Sequence, residues 1–188
     1  MPKDLRILII MGSVRKRRLC PDIAKWVARI GAEVIPEATI EIIDLRDWQL
    51  SMDAEPDVPA HSSYSCDTTK AWSAKVAAAS AFVFLTPQYN WGYPAALKNA
   101  IDHLYREWRD KPAAIVSYGG HGGGKCAVQL REVLSGIKMR VVAEMPGLTL
   151  AKSVIEANPG HLDASVAFAD QRPAVAQGLQ ALVALACR

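Results

Sequence analysis

Short unbroken apolar runs recur along the chain, each followed by a turn and then by a segment whose apolar positions repeat at helical spacing. The runs at residues 6–11 (RILIIM), 82–85 (FVFL), 113–117 (AAIVS) and 139–143 (MRVVA) predict strands, and 39–44 (TIEIID) adds a second strand in chain order. Runs this short, rich in β-branched and aromatic residues, read as strands of a sheet covered on both faces. Between them, Ile23, Val27 and Ile30 share one helical face after Pro21, with Gly31 as a stop and Val34 and Ile35 as a possible extension. Residues 67–79 predict an alanine-rich helix with Asp67 as its N-cap. Pro94 suits the first position of a helix carrying Leu97, Ile101, Leu104 and Trp108 on one face. Two later helices present Ala127, Leu130, Leu134 and Ile137, then Val175, Leu179, Leu182 and Ala186 over 173–187. Residues 45–65 show no period and read as a long surface loop, which in a compact domain is usually functional or mobile. Residues 145–171 carry turn signals at Pro146, Gly147 and Asn158-Pro159-Gly160 but no assignable element. Strands alternating with helices imply an α/β fold with a parallel sheet and helices on both faces; pattern alone leaves the strand order open.

A length of 188 residues suits one domain over 1–188. The hydrophobic fraction of 51% and charged fraction of 22% are ordinary for a globular chain. A formal charge of +3, with no basic stripe interleaved with aromatics, gives no reason to expect a nucleic-acid partner. The N-terminal apolar run is too short for a signal peptide, and no stretch reaches the roughly 18 apolar residues of a membrane helix, so no membrane partner is expected. Cys20, Cys66, Cys126 and Cys187 have neither metal nor redox spacing and read as free thiols in a reducing, cytoplasmic setting. The spacing of His61, His103, His121 and His161 suits no metal site.

The chemistry lies in three loops that follow strands. The first, residues 12–20 (GSVRKRRLC), runs from a strand end into a helix start, a ready anion site. Ser13 offers a hydroxyl, and Arg15 and Arg18 offer bidentate charge. Cys20, just before Pro21, is a poor capping acceptor, so a phosphate could satisfy the orphan N–H groups. A solvated basic loop or a nuclear-localisation-like run is the plainer alternative; the position after a buried strand favours phosphate. The loop lacks both the dinucleotide GxGxxG and the GxxxxGK[ST] pattern. The middle loop brings Gln88, Tyr89, Asn90, Trp91 and Tyr93 to a strand's carboxyl end, a composition suited to a flat heteroaromatic ligand. In the third loop (YGGHGGG), Gly119 and Gly120 let the main chain approach a ligand edge, whereas 122–124 read equally as a flexible turn.

Taken together, GSVRKRRLCPDIAKWV, TPQYNWGYPAALKNAIDHLYREW and SYGG resemble the NADPH-dependent FMN reductase family, colinearly from Arg6 to about Val142. The resemblance implies a flavodoxin-like three-layer doubly wound sandwich, with a five-stranded parallel sheet in the order 2-1-3-4-5. It implies that Ser13, Arg15, Arg18, Leu19 and Cys20 hold the FMN phosphate. Pro87, Gln88, Tyr89 and Asn90 would line the isoalloxazine, and Ser117, Tyr118, Gly119 and Gly120 its pyrimidine edge. Gln88 stands where the family often has glutamate, and Leu19-Cys20 replaces a commoner small or glycine-containing pair. The implied activity is an FMN-dependent NAD(P)H oxidoreductase passing hydride from NADPH through FMN to a flavin, quinone, azo or metal-ion acceptor. No side-chain acid or base is required of it. The rivals are a flavodoxin-kind electron carrier, usually acidic and with a different phosphate loop, and a non-flavin nucleotide module, which leaves the aromatic loop unexplained. Tyr105 and Trp108 extend an apolar face at a helix end, and with the family's common dimers they imply a homodimer with both residues near the interface.

Overall fold

The computed structural model describes residues 5–61 and 63–188; residue 62 of the long loop and residues 1–4 lie outside the description. Strand β1 (Leu5–Met11) is central, with β2 (Ala38–Asp44) on one side and β3 (Ala81–Pro87) on the other, and β4 (Pro112–Gly119) and β5 (Arg140–Val141) follow β3. All the pairings are parallel: Ile7 lies opposite Ile40 on one side and Ala81 on the other, and Phe84 lies opposite Ile115. The order β2-β1-β3-β4-β5 is the flavodoxin-like order that the motifs imply. Every residue of β3 is buried, as an unbroken apolar run in the middle of a covered sheet requires. Successive residues of a strand point to opposite faces, so Ile7, Ile9, Val83 and Leu85 meet the long helices α1 (Cys20–Val34) and α7 (Arg172–Ala186). Leu8, Ile10, Phe82 and Phe84 meet α2 (Asp67–Ala77), α3 (Ala95–Asp102) and α4 (Gly124–Gly136).

Several boundaries differ from the sequence pattern, each for a packing reason. Helix α1 passes through Gly31 without stopping. This glycine is a contact point with the sheet, because a Cβ there would collide with Ile40 Cδ1. The N-cap of α1 is Leu19, and that of α2 is Cys66, leaving Asp67 in the first turn. Pro94 caps α3, whose first residue is Ala95. Helix α3 ends at Asp102, so Leu104 and Trp108 reach the core from turns that happen to keep the helical spacing. Trp108 is fully buried, its ring 5.0 Å from Phe82, and its Nε1 donates to the Ile101 carbonyl at 3.0 Å. It therefore belongs to the core beneath α2 and α3, which overturns its assignment to a subunit interface; Tyr105 is half-buried nearby.

The fifth strand is shorter than its apolar run, and the sheet edge is divided. β5 pairs only with Pro112 and Ala113, while a further strand, β6 (Gly147–Thr149), pairs with Ser117–Gly119 at the other end of β4. β4 itself continues through Tyr118 and Gly119, so both belong to a strand end and not to a loop. Beyond β6 the chain forms the short helices α5 (Lys152–Ala157) and α6 (Ala164–Ala167) before α7. Among the described residues, no helix is long and apolar enough to cross a membrane.

Candidate functional site

The carboxyl ends of β1, β3 and β4 open onto one cavity of about 410 Å³, and three loops meet there. In open parallel sheets this is where ligands bind, outside the carboxyl ends of strands at a change in winding direction. A volume of this order matches a single small-molecule ligand.

The first loop contributes Arg15, Arg17, Arg18 and Leu19 to the lining. Gly12 lets that loop leave β1 tightly: its N–H donates to the Leu85 carbonyl at 2.8 Å, and a Cβ would stand only 3.1 Å from Leu97 Cδ2. Helix α1 then starts with no side-chain cap on its N-terminus. Its first-turn amides and the positive end of its dipole therefore face a basic loop. Arg18 differs from the sequence expectation. Its guanidinium grips Asp44 at the end of β2 in a two-pronged ion pair, one prong at 2.9 Å, and also donates to the Ser13 carbonyl. Burial would raise the Asp44 carboxyl, but the Arg18 guanidinium and the Arg46 N–H hold it below its ordinary value. Arg18 thus anchors the loop to β2, whereas Arg15 and Arg17 are exposed at the cavity. The Arg15 guanidinium carbon sits over the Tyr89 ring, 3.6 Å from its centroid, a cation–π contact joining the first loop to the second.

The second loop is a two-residue hairpin. Tyr89 and Gly92 exchange both main-chain hydrogen bonds, at 2.8 and 2.9 Å, across Asn90 and Trp91. Both central residues have positive φ, +47° and +71°, as a type I′ turn requires. Asparagine tolerates this conformation, while tryptophan is strained in it, and such strain gathers at functional positions. The turn leaves Trp91 56% exposed, its ring under the Lys125 ammonium at 4.6 Å. Tyr89 joins its hydroxyl to that of buried Ser13 at 2.7 Å. Gln88 binds on both sides of the third loop: its main-chain N–H donates to the Tyr118 carbonyl at the end of β4, and its side-chain oxygen accepts from the Cys126 N–H in the first turn of α4.

Gly119 at the end of β4 and Gly120 at the start of the third loop line the cavity, while Gly122 and Gly123 turn the chain away with φ of +69° and +75°. A Cβ on Gly123 would stand 2.9 Å from that of Ser117, so this turn is fixed by close backbone contact and is not merely flexible. The Ser117 hydroxyl donates to the Gly122 carbonyl inside that turn and does not reach the cavity. Cys20 is likewise behind the wall, fully buried, its thiol pushed up to about 11 by burial and so protonated. The Tyr118 phenol beside it is raised well above its ordinary value by burial and by the neighbouring thiol. Of the residues singled out in the sequence, Arg15, Arg18, Leu19, Pro87, Gln88, Tyr89, Tyr118, Gly119 and Gly120 line the cavity. Ser13, Cys20, Asn90 and Ser117 support it without lining it. Sequence reasoning missed Arg17 and a fourth wall made by Leu150, Val154, Ile155 and Asn158. The Asn-Pro-Gly turn marked that segment as a bend, but nothing in the pattern tied it to the cavity.

An uncapped helix start beside arginines, an aromatic loop and a pair of bare glycines fit a flat ligand with a phosphate on its tail, which defines a flavodoxin-like mononucleotide-binding protein. Comparison with known proteins narrows the class. The model for NADPH-dependent FMN reductases matches residues 5–149. The chain is 54% identical over 165 residues to an NAD(P)H-dependent FMN reductase of Schizosaccharomyces pombe, covering 87% of this chain and 81% of that protein. It is 50% identical over 148 residues to one of Saccharomyces cerevisiae, covering 73% and 78%. It is also 32% identical over 133 residues to an NADPH:quinone oxidoreductase of Arabidopsis thaliana, covering 69% and 66%. Among solved structures, a flavoenzyme NAD(P)H:(acceptor) oxidoreductase from Paracoccus denitrificans superposes with a TM-score of 0.71 at 19% identity, covering 96% of this chain and 98% of that one. The chain belongs to the NADPH-dependent FMN reductase family. Membership brings FMN as cofactor and NAD(P)H as electron donor, and makes the protein an FMN-dependent NAD(P)H oxidoreductase.

Proposed function

We propose that the cavity at the ends of β1, β3 and β4 holds FMN and that the protein passes electrons from NADPH to a small planar acceptor of the quinone class. Bound FMN supplies the hydride chemistry. The observation that carries this reading is the continuity of one cavity from the arginine-rich start of α1 to the Tyr89 and Gly119-Gly120 loops. Arg15, Arg17 and the first amides of α1 take the phosphate; Arg18 acts on it only through the shape of the loop. Pro87, Gln88 and Tyr89 support the ring system, and the hairpin bonds between Tyr89 and Gly92 hold that support rigid before any ligand arrives. Gly119 and Gly120 present main chain without side chains to the ring edge, where developing negative charge is best met by N–H donors. Exposed Trp91, two residues beyond Tyr89 in the same hairpin, suits stacking on a planar acceptor.

The whole chain acts as one domain, in the cytoplasm, as a homodimer. Trp91 and Val128, 56% and 44% exposed, replace Trp108 as the exposed apolar side chains that favour self-association. Light scattering on the purified protein is expected to give twice the mass of 20.4 kDa, and a monomer at micromolar concentration sinks this part.

The deciding experiment is an absorbance spectrum with excess FMN removed, followed by NADPH under anaerobic conditions. Flavin bands that bleach support the reductase reading. Bound flavin that NADPH does not bleach favours an electron carrier. A protein that retains no flavin refutes the site.

A further inference from the structure

The fourth wall of the cavity lies beyond the residues that match the family. The family match ends at Thr149, and the chain from Leu150 to Leu162 then crosses the cavity as a strap. Its two ends are tied to the body. The Leu150 N–H donates to the Gly119 carbonyl at 2.9 Å, and the Leu162 N–H donates to the Asp22 carboxylate of α1 at 2.8 Å. Between these ties lies α5, which buries none of its residues. Its side chains nevertheless face the site. Val154 and Ile155 line the cavity, and Ile155 Cδ1 comes within 3.2 Å of where a Gly120 Cβ would stand. The far end is a sharp bend, with Asn158 at φ +42° and Gly160 at φ +80°; a Cβ on Gly160 would touch Arg17 at 3.6 Å. The strap therefore spans the whole length of the cavity, from the glycine loop at one end to the basic loop at the other. A ligand stretched between those loops lies under it. With no fully buried residue in α5, Val154 alone of its side chains resting against the core, and left-handed residues at one end, the strap is held by its two end ties and by what lies beneath it.

We propose that the strap is a cofactor-retaining wall: Val154 and Ile155 contact bound FMN, and this contact sets how long FMN stays. The inference rests on the FMN assignment above. It separates a resident prosthetic group from a flavin that exchanges as a substrate, a distinction that the three loops alone do not make. Val154 is only half-buried at the margin of the core and Ile155 is 47% exposed, so the FMN-free double variant is expected to stay folded, which its thermal melt checks. The test uses FMN-loaded protein of full length and a Val154→Ser, Ile155→Ser double variant. Each is diluted far below its starting concentration, and the return of free-flavin fluorescence is followed. The variant is expected to release FMN at least about tenfold faster, equivalent to roughly 1.4 kcal/mol. In the unaltered protein, hydrogen exchange at the amides of 152–158 is expected to slow when FMN binds. Equal release rates and unchanged exchange, with flavin demonstrably bound, overturn the strap while leaving the FMN site intact. Failure of the unaltered protein to bind FMN overturns both, and the binding spectrum distinguishes the two failures.

Discussion

Replacing Asp44 with alanine strands the Arg18 guanidinium, whose side chain is only 7% exposed and which has no other carboxylate among its partners in the described residues. Removing one partner of a buried ion pair costs about 3–5 kcal/mol, because the remaining charge stays desolvated. Asp44 is 22% exposed and Arg18 keeps its bond to the Ser13 carbonyl, so the low end applies, about 3 kcal/mol. For a chain of this length that lowers the melting temperature of the FMN-free protein by roughly 6–12 °C. Arg15→Ala makes the opposite pattern. Arg15 is exposed, and its stacking on Tyr89 is worth about 0.5–1 kcal/mol at such a site, so the FMN-free protein melts nearly unchanged. Losing its charge-assisted bonds to phosphate, roughly 1.5–3 kcal/mol, weakens FMN binding about ten- to hundredfold. The assays are thermal melting without FMN and quenching of FMN fluorescence on titration. The division of labour fails if Asp44→Ala melts like the parent while losing FMN, or if Arg15→Ala binds FMN at full affinity.

Two further outcomes follow from the core and the long loop. Trp108→Ala is expected to cost roughly 3–5 kcal/mol in urea unfolding without changing the oligomeric state, since the ring fills the core against Phe82, Phe84 and Trp72; a variant of parental stability but altered assembly would return Trp108 to an interface. Glu55 fastens the long loop to the start of α2 by accepting from the Ser65 and Cys66 N–H groups. Desolvation opposes its ionisation, but donors from Ser65, Thr69 and Cys66 together bring its carboxyl down to about 2, against about 4.3 in an unfolded chain. Its contribution is therefore present above about pH 5 and lost as the pH falls from about 4 towards 2. Fluorescence of Trp48, which meets Trp72 edge-on with ring centroids 4.8 Å apart, is expected to report loosening of the loop over that window, and Glu55→Gln to remove the transition; a transition that persists in Glu55→Gln assigns it elsewhere.

The apolar runs settled that this chain makes a parallel sheet between two helical layers, since a buried strand and an amphipathic helix each declare themselves within a few residues. The motifs also placed the three loops at strand ends, where the cavity lies. Tertiary structure decided what local spacing cannot express. Gly31 looks like a helix stop, but it is the gap into which Ile40 fits. Trp108 keeps helical spacing, but it enters the core from a turn after α3 has ended. Arg15 and Arg18 are equivalent as sequence; only the fold brings Asp44, from the end of the neighbouring strand, up to one of them and leaves the other facing the cavity. The strap is the extreme case. Its contacts with Gly120 and Arg17 cross long stretches of chain, and with no fully buried residue in its short helix it has no periodicity to betray it. Burial leaves its mark on sequence as pattern, whereas a wall that meets the core only at Leu150, Val154 and Leu162 leaves too few apolar positions to read.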